Sequence, residues 1–180
     1  MLAPRELEKS PLFRDISYEE YRRMLPCFQA VGRSYQADEL IYDFADAQQD
    51  DVGVIERGAA ALIRIDEEGV ATVMEELGPG GVFGRNLAFA GSAGDSLEVV
   101  CRTPCEVLFI DYPHILRRCE SACAYHSTLV QNMLRLMADK AQALSRRVDV
   151  LSRRSIREKL LCYFRQLSQQ AGNRTFTLPF

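Results

Sequence analysis

Residues 54–69, VIERGAAALIRIDEEG, and residues 77–84, LGPGGVFG, decide the fold of this 180-residue chain. The first stretch holds two short apolar runs, broken at Arg57-Gly58 and closed by the turn sequence at 66–69. Acidic and glycine residues between two apolar runs are typical of a hairpin loop, so this stretch predicts a β-hairpin. The second stretch predicts a glycine turn that leads into a strand. It is not a dinucleotide-binding loop, because its spacing is not G-x-G-x-x-G and no βαβ unit surrounds it.

Short apolar runs continue on both sides of these two stretches. The predicted strands are 39–43, 52–56, 59–66, 71–77, 96–102 and 106–111. Strands that recur roughly every 8–12 residues favour an antiparallel sandwich or barrel over a parallel sheet. Ahead of them, Ser17 and Glu20 have the spacing of a capping box, which predicts the start of a short helix.

From His114 onward the apolar pattern becomes helical. Residues 127–151 predict one helix of ~37 Å, at about 1.5 Å per residue. Its apolar stripe is Val130, Met133, Met137, Ala141, Leu144, Val148 and Leu151. Such a stripe is longer than a small barrel can cover, so we expect part of it to face a second copy of the chain. The alternative is a long helix that lies wholly on its own barrel.

A second capped helix is predicted after residues 152–155 interrupt this stripe. Ser155 and Glu158 form another capping box, and the helix should end near Gly172. Its predicted inward residues are Ile156, Leu160, Leu161, Phe164 and Leu167. Residues 175–180 alternate like a strand that needs a partner, which indicates a truncated domain.

Charge is divided unevenly along the chain. Residues 1–113 carry 10 basic and 21 acidic side chains, whereas residues 114–180 carry 12 basic and 4 acidic ones. The basic part is a candidate to lie near a polyanion, or is simply a solvated arginine-rich surface. No apolar run approaches the ~20 residues of a membrane helix, and the N-terminus lacks a signal-peptide core. Six irregularly spaced cysteines then indicate reduced thiols in the cytoplasm.

Three stretches resemble the cyclic-nucleotide-binding fold of bacterial Crp/Fnr regulators. They are residues 54–69, residues 77–84, and the closing strand CEVLFI at 105–110. The long helix, the interruption and the capped helix follow in the family's order. The resemblance implies an α+β, mainly β fold. A jelly-roll (double-stranded β-helix) sensor barrel would span 1–113, connecting and dimerisation helices 114–152, and the truncated start of a winged helix-turn-helix domain 153–180.

This resemblance also implies a function. Crp/Fnr proteins are homodimeric transcription regulators that read DNA through a recognition helix in the major groove. That helix and the wing lie outside these 180 residues, so we expect DNA binding to need the missing module. Residues 151–154 would transmit the state of an unidentified effector. Candidates for attraction to DNA phosphates, or else ordinary solvated surface, are Arg146, Arg147, Arg153, Arg154 and Arg157.

The resemblance places a candidate effector site at Gly84, Arg85, Asn86, Leu87, Asp95, Ser96 and Lys140. In cyclic-AMP-binding relatives a Glu follows the cassette glycine, and an Arg-Ser or Arg-Thr pair lies on the next strand. Here Arg85 and Asp95 reverse both charges. Asp95 would repel a phosphate, and Arg85 cannot accept a hydrogen bond from a ribose hydroxyl. The adenine-contacting hydroxyl pair falls on Lys140 and Ala141, so we expect that cyclic AMP does not bind in the usual way.

Two alternatives remain open for this site. Arg85 and Asp95 could pair with each other and close it. Alternatively, Arg85 and the N–H groups of Asn86 and Leu87 could hold a different small anion. In the second case the chain could be a regulatory domain that controls a partner protein without binding DNA.

Catalytic and metal chemistry find little support in the sequence. Cys119, Cys123 and His126 could lie on one helix face, but buried inert cysteines are the commoner case, so a metal or redox sensor stays a minor alternative and no metal ligand is assigned. No iron–sulfur or haem signature is present. The two histidines, His114 and His126, lie beyond the barrel and cannot supply a cupin-type metal site. We therefore expect no enzyme and no catalytic residues.

Overall fold

The computed structural model describes residues 4–46, 50–87, 95–116, 124–173 and 175. The chain divides into two units, Met1–Leu136 and Met137–Phe180. The described strands are β1 (Val31–Tyr35), β2 (Leu40–Asp43), β3 (Asp51–Arg57), β4 (Ala60–Ile65), β5 (Ala71–Leu77), β6 (Val82–Gly84), β7 (Ser96–Cys101) and β8 (Cys105–Asp111). The described helices are α1 (Pro4–Leu7), α2 (Tyr18–Met24), α3 (Tyr112–Leu116), α4 (Ala124–Leu151) and α5 (Ile156–Ala171).

The eight strands form two antiparallel four-stranded sheets of a jelly roll. One sheet has the order β1-β8-β3-β6 and the other has the order β2-β7-β4-β5. The predicted fold class and the predicted hairpin are confirmed, since β4 pairs with β5 around the turn at 66–69. The six predicted strands are also confirmed to within one residue at each end. Strand β1 was missed, because four of its five residues are exposed and give no alternating pattern.

Strands β3 and β8 of the β1-β8-β3-β6 sheet are covered on both faces. On the sheet's inner face Ile55, Val107 and Phe109 pack against the second sheet. On its outer face Val54 and Leu108 pack against the N-terminal helices, α3 and the first half of α4. Because both faces are buried, β3 and β8 are nearly continuous apolar runs instead of alternating ones.

The first half of α4 belongs to the core of the first unit. Leu129, Met133 and Leu136 are buried there, and Val130 packs against the same cluster. The buried Asn132 amide donates hydrogen bonds to the carbonyl oxygens of Leu12, at 3.1 Å, and of Arg14, at 2.6 Å. This half of the helix is thereby fixed to the N-terminal segment.

The second unit contains the end of α4 and the whole of α5. The predicted capping box at Ser155 is present, with Ser155 Oγ accepting from the Glu158 N–H. The helix ends at Gly172, whose φ of 67° is the left-handed conformation that glycine adopts readily. The inward face predicted for α5 is not closed in this chain, since Ile156, Leu160 and Leu161 are exposed. Residues 176–180 of the predicted tail strand lie outside the described residues.

Candidate functional site

The candidate site is built on a sharp turn at the end of β6. Gly84 has a φ of 150°, and a Cβ atom there would lie 2.8 Å from the Asp51 carbonyl oxygen of β3. Glycine is therefore required for the close approach of the two strands. A 3₁₀ turn, Arg85–Leu87, follows directly. Residues 88–94, which continue the loop, lie outside the described residues.

Arg85 is held by backbone carbonyl groups. Its Nη2 donates to the Phe44 carbonyl oxygen at 3.3 Å and also to the Asp46 carbonyl oxygen. Its Nε is buried and has no hydrogen-bond partner among the described residues. The Arg85 guanidinium therefore binds the backbone just after β2, and its Nε–H donor has no partner among the described residues.

Asp95 has a cationic neighbour on the adjacent strand. Its Oδ2 lies 3.8 Å from Nε of Arg64, and its side chain is only 10% exposed. The next residue, Ser96, opens β7 and is aligned with Ile65 of β4. Arg85 thus donates to backbone carbonyl groups, and Asp95 lies beside Arg64. Each charged group has a partner besides the Arg85–Asp95 pair that was one of the two alternatives.

Acidic groups surround the phenol of Tyr42 beside Arg85. Burial raises the pKa of Tyr42, while Arg85 lowers it and Asp51 raises it further. Burial also raises the pKa of Asp51, and Asp111, which is aligned with it across β3 and β8, adds to that rise. Arg33 opposes this rise as a nearby cation, and Asp111 is also paired with His114.

The remaining predicted effector residues are Leu87, Asn86 and Lys140. Leu87 is 5% exposed and packs in the hydrophobic core, so only its backbone could contact an effector. Asn86 lies in the 3₁₀ turn. Lys140 lies on α4 in the second unit and is partly exposed. The grouping of Lys140 with the turn residues stays a prediction.

A chain of aromatic rings inside the barrel was missed by the sequence reasoning. The ring centroid of Tyr42 lies 4.9 Å from that of Phe44 and 5.7 Å from that of Phe83. Phe83 lies 6.1 Å from Phe109, which in turn lies 6.4 Å from Tyr35. Edge contacts of this kind stabilise the interior between the sheets. The sequence does carry a signal for this cluster, because aromatic residues lie in four of the strands, β1, β2, β6 and β8.

The second half of α4 presents an apolar stripe to solvent. Leu134, Met137, Leu144, Val148 and Leu151 are 37–67% exposed. With the exposed Ala141 they are spaced alternately by three and four residues, which is the 3.5-residue period of a coiled coil. Met133 of the predicted seam is only 2% exposed and is unavailable to a second chain, and Val130 packs against the same core. Leu134, which is not part of the predicted stripe, is 62% exposed and takes the place of Met133 on the solvent-facing side.

The cysteines divide by burial. Cys101 and Cys105 are buried in the core, and burial raises the pKa of Cys101 to about 12. Cys27 instead lies exposed on a 3₁₀ turn. Cys119 and Cys123 lie outside the described residues. Among the residues that are described, no group of three or more His, Cys, Asp or Glu side chains is arranged to hold a metal ion.

A family model for the cyclic nucleotide-binding domain matches residues 32–122, which is half of the chain. The chain belongs to the cyclic nucleotide-binding domain family. The match covers every strand of the jelly roll except the first residue of β1, together with the turn at Gly84. Among proteins with a curated function, none matches the sequence.

Several solved structures share the fold of this cyclic nucleotide-binding domain. It is similar to the Thermus thermophilus catabolite activator protein, with a TM-score of 0.63 and 24% identity, over 79% of this chain and 63% of that one. It is similar to a transcriptional regulator from Thermotoga maritima, with a TM-score of 0.56 and 17% identity, over 73% of this chain and 97% of that one. It is also similar to CooA from Carboxydothermus hydrogenoformans, with a TM-score of 0.57 and 13% identity, over 81% of this chain and 60% of that one.

The chain therefore spans under two thirds of the length of the Thermus protein and of CooA. It carries a cyclic nucleotide-binding domain. In the described part of the chain, no helix combines the length and the apolar character needed to cross a membrane.

Proposed function

We propose that this chain is the effector-sensing and dimerisation part of a DNA-binding transcription regulator, and that the whole protein is not an enzyme. The proposal rests on the exposed apolar stripe of α4. This stripe follows a Crp/Fnr-type barrel in the chain and is itself a surface suited to a second copy. The regulators that share the fold support the DNA-binding role. Free thiols at the described cysteines are consistent with action in the cytoplasm.

The proposed homodimer forms through the stripe of α4. Parallel helices with apolar residues at a 3.5-residue period bury them between the two chains. The seam consists of Leu134, Met137, Ala141, Leu144, Val148 and Leu151. An exposed apolar stripe of this length along one helix is a surface that water solvates poorly, so a second copy stabilises it.

Leu144→Glu tests the seam, with Leu160→Glu as its matched control. Leu144 and Leu160 are 41% and 48% exposed, so the same change is made at similar burial on different helices. A carboxylate in an apolar seam faces the same carboxylate of the second copy and makes dimerisation less favourable by several kcal/mol. Since about 1.4 kcal/mol corresponds to a tenfold change, the dissociation constant should rise by orders of magnitude. We expect Leu144→Glu to sediment as a monomer and Leu160→Glu as a dimer. A dimer in both variants contradicts the seam.

The effector is proposed to bind in the barrel near the turn after Gly84, and it is not cyclic AMP held in the usual way. The nearly buried Asp95 opposes a phosphate there. An effector would shift the dimer between two arrangements by its differential affinity for them. Titration calorimetry with cyclic AMP should give no heat of binding. Saturable binding that an Asp95→Ala variant strengthens would show that the pocket accepts a phosphate after all.

The DNA-binding role is tested on the complete protein. Selection from a random duplex library should enrich a two-fold symmetric site whose half-sites are one helical turn apart, as the symmetric dimer requires. The Leu144→Glu variant should lose this enrichment while it keeps the helix content of the parent protein by circular dichroism. Enrichment of no sequence by the complete protein contradicts the proposal and favours control of a partner protein.

A further inference from the structure

A cavity of about 570 Å³ is lined by the segment between α4 and α5 together with the first part of α5. The lining residues are Ser152, Arg153, Arg154, Glu158, Leu161, Cys162 and Arg165. All of them belong to the second unit, Met137–Phe180. Three of the seven are arginines, which makes this a basic concave surface.

Two of these arginines are free to bind an anion. Arg153 is paired with Asp149, one turn earlier on α4. Among the described residues, Arg154 and Arg165 have neither a hydrogen-bond nor an ion-pair partner. Guanidinium groups that converge without a counter-ion repel one another, and an anion between them relieves that repulsion.

The acidic groups at the cavity are engaged elsewhere. The Glu158 carboxylate accepts from the Ser155 N–H at 3.3 Å as part of the capping box. Asp149 accepts from Arg153 and from the Cys162 thiol, the latter at 3.2 Å. Neither carboxylate forms an ion pair with Arg154 or Arg165, although Glu158 itself lines the cavity. The cavity therefore keeps two available guanidinium groups beside the start of a 16-residue helix, whose dipole also favours negative charge.

We propose that this cavity is a binding site for a phosphate group, with Arg154 and Arg165 as its principal ligands and Arg153 as a fixed cation beside them. Arginine suits this chemistry because its planar fork of donors matches two phosphate oxygens at once. The phosphate comes either from a small compound or from a nucleic-acid backbone. The site is separate from the barrel, so it does not require that the barrel bind any effector.

Titration of the purified chain with inorganic pyrophosphate at low ionic strength tests the site. Arg165→Gln should weaken binding about tenfold, the loss expected for one hydrogen bond to a charged group. Lys159→Gln is the matched control, since it removes one charge from the same helix at a residue outside the cavity lining. Circular dichroism should show that both variants keep the helix content of the parent chain.

A second titration, with a short duplex of random sequence, distinguishes the two sources of phosphate. Pyrophosphate binding that depends on Arg165 and not on Lys159 supports a site for a small phosphate compound. Duplex binding with the same dependence, without pyrophosphate binding, supports a site for backbone phosphate. If neither ligand binds, or if both variants weaken binding equally, the proposal is overturned. Duplex binding that survives Arg165→Gln leaves the proposed DNA-binding role intact and removes only the cavity site.

Discussion

Replacing Met133 with alanine should destabilise the first unit strongly. The side chain is 2% exposed and packs in the same core cluster as Leu12, Phe13 and Leu129. A Met→Ala change in such a core costs about 2–5 kcal/mol of unfolding free energy, from lost burial and the cavity left behind. At about 2–4 °C per kcal/mol for a chain of this size, a loss of about 3 kcal/mol lowers Tm by about 6–12 °C.

Met137→Ala provides the matched comparison four residues further along α4. Met137 is 37% exposed and lies on the solvent-facing stripe, so the same substitution removes little packing within one chain. Its cost should arise through the dimer and should therefore depend on protein concentration, as binding equilibria require. The cost of Met133→Ala should be the same at low and high concentration.

Urea unfolding followed by circular dichroism at two protein concentrations measures both effects. The reasoning predicts a large, concentration-independent loss for Met133→Ala and a small, concentration-dependent one for Met137→Ala. A loss below about 1 kcal/mol for Met133→Ala would refute the placement of this face of α4 against the barrel. Equal and concentration-dependent losses for both variants would return Met133 to the dimer seam.

Three further predictions concern the first unit. Gly84→Ala should cost more than about 1 kcal/mol in urea unfolding because its Cβ would meet the β3 backbone, whereas Gly32→Ala, with open space around it, should be nearly neutral. Asp51→Asn should raise Tm at pH 7 and leave it unchanged at pH 3. The fold raises the pKa of Asp51, so it destabilises the charged carboxylate relative to the unfolded chain. This penalty is absent at low pH, where the carboxyl is protonated, and it develops as pH rises. Asn132→Ala should lower the unfolding free energy by about 1–3 kcal/mol, since two backbone carbonyls of the N-terminal segment lose their donor.

The positions of most barrel strands along the chain were predictable because the turns between them are marked by local chemistry. The turn at 66–69 and the glycines at 78–81 divide the chain where the strands β4, β5 and β6 begin or end. The two capping boxes were equally local, and both helices begin where Ser17 and Ser155 predict. Strand β1 was not predictable in this way, since its pairing with β8 depends on backbone hydrogen bonds and its side chains are mostly exposed.

The candidate site was less predictable because its partners are distant in the sequence. The position of Arg85 was found by resemblance, but its acceptors, the carbonyls of Phe44 and Asp46, carry no side-chain signal. Arg64 became the neighbour of Asp95 only through the pairing of β4 with β7. On α4, Met133 and Leu134 are both apolar and adjacent, so only the position of the barrel determines which one is exposed.

Native mass spectrometry of the purified chain tests the central claim most directly. The account predicts a species of twice the 20.4 kDa chain mass under native conditions, which separates into single chains on denaturation. Any additional non-covalent mass would give the weight of a retained effector. A monomer under the same native conditions contradicts the account, because the exposed stripe of α4 would then have no second copy to cover it.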